Sequence, residues 1–210
     1  MIDYVRDAAE IYRQSVAAIR REVDIDALPV DLRPVALRLV HACGMPEIVA
    51  DLVASPEAAR RGIAALNDGA PVLADAEMVA HGIDRARLPR GNQVICTLNS
   101  DATRPTAARL GTTRSAAAVE AWRPSLEGAV VAIGSAPTAL FRLLELLQQG
   151  WPRPAVILGF PVGFVGATES KEALAAQRNV PFIALKGRRG GSALAAAAVN
   201  ALASPDAWTH

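Results

Sequence analysis

The sequence predicts an α/β fold: a doubly wound, mostly parallel five-stranded sheet with helices on both faces and a helical N-terminal extension. Three observations carry this. From residue 69 onward, short apolar runs and helical patterns alternate five times, the order of successive βα units. The runs are continuously apolar, as in strands covered on both faces. Most are followed by a glycine-rich or polar loop before the next helix, where such sheets bind their ligands. On this reading the 210 residues form a single domain, with a helical part over 1–68, an α/β core over 69–204 and a tail over 205–210.

In the helical part, Val5, Ala8, Ala9, Tyr12, Val16, Ile19 and Val23 recur at helical spacing, so 3–23 reads as an amphipathic helix. Asp31 is placed to cap a second helix, DLRPVALRLVHA, which tolerates Pro34 in its first turn and ends at Gly44 before Pro46. A third opens with Ser55 as N-cap and Pro56 at its first position, and ends at Gly69. The expected strands are PVLAD (71–75), NQVICTL (92–98), AVVAIGS (129–135), AVILGFPVG (155–163) and PFIALKG (181–187). The helices after them are AEMVAHGI (76–83), TRSAAAVEAWRPSL (113–126), APTALFRLLELLQQG (136–150), TESKEALAAQ (168–177) and GGSALAAAAVNALA (191–204).

Composition narrows the function. Apolar residues make up 51% of the chain and can fill a sizeable core. A net charge of +1 argues against a general grip on nucleic acid. No apolar run approaches the roughly twenty residues of a membrane span, and the N-terminus lacks a signal-peptide core. Cys43 and Cys96 do not make a disulfide framework, so a cytoplasmic location is expected. Of the 22 basic residues, 20 are arginine. Either a GC-rich genome or recognition of carboxylates and phosphates accounts for that bias.

Four strand-to-helix loops are candidates for ligand contact: TLNSDATRPTAARLGTTRS, IGSAPT, GFPVGFVGATESK and KGRRGGS. The last is the sharpest. Gly190 and Gly191 let backbone N–H groups approach an anion at a helix start, and Arg188 and Arg189 add charge. The alternative is a plain exposed turn. Arg114 follows Thr113, a candidate helix cap; a cation in the first turn opposes the helix dipole, which makes sense if it binds an anion. Thr168 is placed to cap the next helix, with Lys171 in its first turn, as a ligand contact or as a surface residue paired with a nearby glutamate. His41 points away from the apolar face of Leu32, Val35, Ala36, Leu39 and Cys43, so it faces solvent, a ligand or a partner. Cys43, on that face, reads as a packed residue. His81 and His210 complete the histidines, and no His/Cys/Asp cluster has metal spacing. GxGxxG, P-loop and G-x-S-x-G signatures are missing.

Several segments, in order and through nearly the whole chain, resemble the precorrin-8X methylmutases: RLVHACGMPEIV, VLADAEMVAHGI, GNQVICTL, GTTRSAAAVEAW, VVAIGSAPTALFRLLEL, GFPVGFVGATESKEAL and GRRGGSALAAAAVNALA. The resemblance implies an α/β homodimer of cobalamin biosynthesis with active sites near the subunit interface. It implies isomerisation of precorrin-8X to hydrogenobyrinic acid by a 1,5-sigmatropic methyl shift from C-11 to C-12, with no metal or organic cofactor. His41 matches the family's catalytic histidine in HACGM, with the role of proton donor to a ring nitrogen. Arg114 and the turn of Arg188, Arg189, Gly190 and Gly191 match positions suited to the acetate and propionate groups of the macrocycle. Ser15 and Lys171 match family positions for substrate binding. The chain departs from the family's IGNAPTAL with Ser135 in IGSAPTAL. A cobalt-precorrin-8 methylmutase, a non-catalytic tetrapyrrole carrier that hands product to the next pathway enzyme, and a phosphate- or nucleotide-binding α/β domain remain the competing readings.

Overall fold

The computed structural model describes residues 2 and 4 to 208. His210, the end of the expected tail and the first residue of the expected helix 3–23 lie outside them. The chain enters through helix α1 (Ala8–Glu22), capped by the Asp7 carboxylate accepting from Glu10 N–H. Only Val16 and Ile19 of its apolar stripe are buried; Val5, Ala8 and Ala9 stand exposed. Helix α2 (Arg33–Cys43) stops at Gly44, whose φ of 67° is the left-handed conformation that glycine adopts without strain. Its N-cap is Leu32; the expected cap, Asp31, instead pairs with Arg60 at 3.6 Å.

The sheet has six strands, one more than the sequence predicts: β1 (Leu52–Ala54), β2 (Val72–Ala74), β3 (Val94–Cys96), β4 (Val130–Ile133), β5 (Val156–Gly159) and β6 (Phe182–Leu185). Their order is β1-β6-β5-β4-β2-β3. Strands β2 to β6 are parallel, and β1 runs antiparallel along the edge of β6. The expected helical N-terminal part therefore contributes a strand to the sheet. Ser55, the expected cap of the next helix, serves the sheet as well. Its Oγ accepts Phe182 N–H at 2.9 Å and ties β1 to β6. Helix α3 (Ala58–Asn67) begins three residues later, behind Glu57 at φ 64°.

Alternate strand residues serve two cores. Val72, Ala74, Val130, Ala132, Val156, Leu158, Ile183 and Leu185 face one side. There they meet α3, α4 (Glu77–Gly82) and α9 (Ser192–Ala203), with α2 and α1 stacked behind. Leu73, Val131, Ile133, Ile157 and Ala184 face the other side. That side carries α6 (Arg114–Val119), α7 (Pro137–Gln148) and α8 (Ala167–Ala176). Burial on both faces explains the continuous apolar runs. A further helix, α5 (Thr103–Leu110), lies within the segment read as a loop. Residues 205–208 form a 3-10 turn packed on α2, where a loose tail was expected.

The topology sets where a ligand can go. From β2 the chain moves to β3 on one side and then reverses to β4 on the other, so β2 and β4 flank a switch point. Ligands in such sheets bind beyond the carboxyl ends of the strands. Antiparallel β1 begins at that same end, since Leu52 pairs with Leu185, the last residue of β6. The end of α2 and the turn that follows it are thereby delivered to the ligand-binding edge.

Candidate active site

His41 lies in the last turn of α2 and is exposed, as its angle off the apolar face predicts. Cys43 is packed against the core. The Tyr12 ring of α1 stands 6.1 Å from the imidazole, tilted by 51°. Tyr12 Oη donates a hydrogen bond to the Ala207 carbonyl, which pins the C-terminal turn over this corner. Burial drives the Tyr12 phenol up to about 12, against the fields of Arg38 and Arg87. Desolvation, and then the Arg38 guanidinium one turn earlier on α2, hold the His41 imidazole below its usual pKa. Arg38 is itself lowered, first by burial and then by Arg87. Arg87 belongs to a 3-10 turn (Arg85–Arg87) and donates Nε–H to Asp84 at 3.0 Å. The buried Asn200 of α9 holds that turn, accepting Asp84 N–H at 2.8 Å and donating to the Gly82 carbonyl at 3.0 Å. Tyr12 and Arg38 thus flank the histidine, and Arg87 acts on that pair. Only the spacing of Arg38 and His41, three apart on one helix, hints at this in the sequence.

The KGRRGGS turn joins β6 to α9 at the same edge. Arg189 Nη1 reaches the Glu47 carboxylate at 3.5 Å, and Glu47 lies six residues past His41. Arg188 stacks over Phe164 at 5.1 Å from the ring centroid. Beneath the turn, Lys171 is 3% exposed and donates Nζ–H to the Arg189 carbonyl at 2.6 Å. Its helix, α8, opens at Gly166, so Thr168 lies inside the first turn and is not the cap. The alternative of a surface Lys171 paired with a glutamate does not hold.

Gly190 passes so close to β5 that a Cβ there would lie 2.3 Å from the Phe160 carbonyl oxygen and 2.6 Å from that of Pro161. Gly191 N–H completes the junction with a 2.8 Å bond to Phe160 O. Arg188, Arg189, Gly190, Gly191 and Lys171 therefore form one unit, joined through Glu47 to the segment after His41. The other two expected residues stand apart. Arg114 opens α6 behind its cap Thr113, as expected, and is exposed. Ser15 donates its hydroxyl to Ile11 O within α1. Among the described residues neither bonds to His41 or to the turn.

Burial of the Lys171 ammonium lowers its pKa to about 8, with Asp51 opposing the shift. A lysine lowered in the folded state binds fewer protons there than in the unfolded chain between about pH 8 and 10.5. Stability attributable to it therefore rises with pH across that window. Between those limits the wild type is expected to gain up to about 3 kcal/mol on a Lys171→Met variant. Denaturant unfolding of both proteins at pH 7.5 and pH 10, each about half a unit outside or inside the window, checks this; a constant difference contradicts it.

Among the described residues no helix is long and apolar enough to cross a membrane, and no three His, Cys, Asp or Glu side chains group as metal ligands. The precorrin-8X methylmutase family model matches residues 10–205. The chain is 60% identical over 205 residues to the precorrin-8X methylmutase of Pseudomonas aeruginosa, covering 97% of this chain and 99% of that protein. It is 34% identical over 194 residues to the cobalt-precorrin-8 methylmutase of Priestia megaterium, covering 92% and 86%. A crystal structure of precorrin-8x methyl mutase from Thermus thermophilus superposes with a TM-score of 0.86 at 37% identity, covering 95% of this chain and 97% of that one. With fold, length and sequence in agreement, the chain belongs to the precorrin-8X methylmutase family, and its activity is that of an intramolecular isomerase of cobalamin biosynthesis.

Proposed function

We propose that the protein converts precorrin-8X to hydrogenobyrinic acid, moving the methyl group from C-11 to C-12 of the macrocycle. One observation carries the residue assignment. An accessible histidine at a helix end is brought by β1 to the edge where an exposed double-arginine turn stands. The ligand is planar and bears several carboxylates. Arg188, Arg189 and Arg114 suit those carboxylates. Phe164 and Val165, 86% and 89% exposed, offer apolar surface for the flat face. Gly190, Gly191 and Lys171 set the turn, and Ser15 joins from α1.

His41 gives a proton to a ring nitrogen. Electron density leaves the conjugated system, the methyl group migrates with its bonding pair, and the double bonds shift. Substrate and product are isomers, so the imidazole recovers a proton before the next turnover. Nothing in this sequence of steps calls for a resident metal or organic cofactor.

The chain acts as one catalytic domain, in the cytoplasm, as a homodimer. Exposed Tyr4, Val5 and Ile11 near the N-terminus offer apolar surface for the second copy. Product passes to the next enzyme of the pathway.

Mixing purified protein with precorrin-8X in the absence of metal ions, and following the absorbance spectrum, tests the reaction. Growth of the hydrogenobyrinic acid spectrum is expected. Turnover of cobalt-precorrin-8 alone favours the substrate named for the relative at 34% identity over that named for the relative at 60%. Tight binding with neither turnover makes the protein a carrier.

A further inference from the structure

The switch point between β2 and β4 is where a doubly wound sheet ordinarily receives an anionic ligand, on the amides at the start of the next helix. Here those amides are taken. Asp75 follows the last residue of β2, is 2% exposed, and stays on the sheet through its own N–H to Ala132 O. Its Oδ1 accepts Gly134 N–H, and its Oδ2 accepts both Ser135 N–H and Ala136 N–H, all at 2.9 Å. Ala136 is the N-cap residue of α7. Three main-chain donors converge on one carboxylate, the arrangement by which backbone nests hold phosphate or carboxylate ligands.

The turn so held is wedged from the other side. A Cβ at Gly134 would lie 2.7 Å from Ala195 Cβ, 2.8 Å from Ser192 Cα and 3.0 Å from Gly191 O. Residues 134–136 thus lie between Asp75 and the start of α9, directly beside the glycine pair of the arginine turn.

We propose that Asp75 is a built-in anion: it fills the switch-point nest, fixes the 134–136 turn against the arginine turn, and keeps external carboxylates and phosphates off those amides. Asp75 is a positioning and specificity residue in this scheme. It leaves the side chains of the exposed arginines as the holders of an anionic ligand. It also accounts for a doubly wound fold that carries neither glycine fingerprint for phosphate.

An Asp75→Gly variant removes the internal anion and leaves the nest empty. Its melting temperature is expected to fall by roughly 10 °C. At constant ionic strength, replacing chloride by about 100 mM formate is expected to restore several degrees in the variant and to leave the wild type unchanged. Turnover lost in the variant returns with formate. A merely structural role does not produce rescue by a small carboxylate; a variant that formate leaves unmoved overturns the proposal. If Asp75→Gly fails to fold, hydrogen exchange on the wild-type protein decides. Gly134, Ser135 and Ala136 amides should exchange as slowly as those of β4, and exchange at the rate of an open loop refutes the assignment. The melting and exchange readouts stand whether or not precorrin-8X is the substrate.

Discussion

A His41→Ala variant is expected to lose about 10²- to 10⁴-fold in kcat, the range a positioned general acid contributes, with macrocycle binding largely retained. The reason lies in the division of labour at the site. The carboxylates of the ligand are held by arginines on other elements, Arg188 and Arg189 after β6 and Arg114 on α6. Among the described residues His41 is the one titratable side chain there whose ordinary pKa lies near neutrality. Rapid-mixing absorbance at saturating substrate reads the chemical step, and a variant with the wild-type rate removes His41 from it.

The pH dependence sharpens this prediction. Desolvation and the Arg38 field hold the imidazole below 6.5 in the free protein. A proton donor must be charged before it gives its proton, so kcat/KM should rise as pH falls toward that lowered value. Bound substrate brings carboxylates that offset Arg38. The midpoint for kcat should therefore lie at higher pH than the midpoint for kcat/KM, since the first reports the complex and the second the free protein. Arg38→Gln should move the kcat/KM midpoint upward. A midpoint that stays where it was would show that Arg38 does not set the acidity of His41.

The parallel core was legible because strands buried on both faces are written as unbroken apolar runs. Leu52–Ala54 was not. Three residues that are only half-buried carry no periodicity, and they form a strand because β6 has a free edge to pair with. That one omission hid how His41 reaches the ligand edge. Thr103–Leu110 was missed for a related reason: only Thr103 is buried, so the helix has no apolar stripe to read. Lys171 shows a different limit. Its position on a helix follows from sequence, but its burial depends on a turn eighteen residues later folding back over it. Asp75 and Asn200 belong to the same class, polar residues within apolar stretches whose partners are main-chain groups far along the chain. The arginine turn was found from its glycines, although the physical reason turned out to be steric.

That steric reason makes Gly190→Ala the other large effect. The three nearest atoms a methyl group would meet there are all main chain: the Phe160 and Pro161 carbonyl oxygens and the Phe160 carbonyl carbon, all within 2.9 Å. Rotating a side chain cannot relieve these contacts, so the backbone of the turn or of the β5 end must move. The Gly191 N–H bond to Phe160 O lies on the same contact and is lost or stretched. Overpacking of this kind costs up to about 3 kcal/mol, and a broken buried hydrogen bond adds about 1–3 kcal/mol. For a chain of this size that lowers the melting temperature by roughly 10 °C. Activity should fall further than stability alone implies, because a displacement near 1 Å of groups that position a substrate costs about 100-fold. Gly191→Ala is the control. Its Cβ meets nothing within 4 Å, and its penalty comes from a φ of 128° alone. It should melt closer to the wild type. Equal losses in the two variants would mean that backbone conformation, and not the approach of Gly190 to the β5 end, fixes the arginine turn.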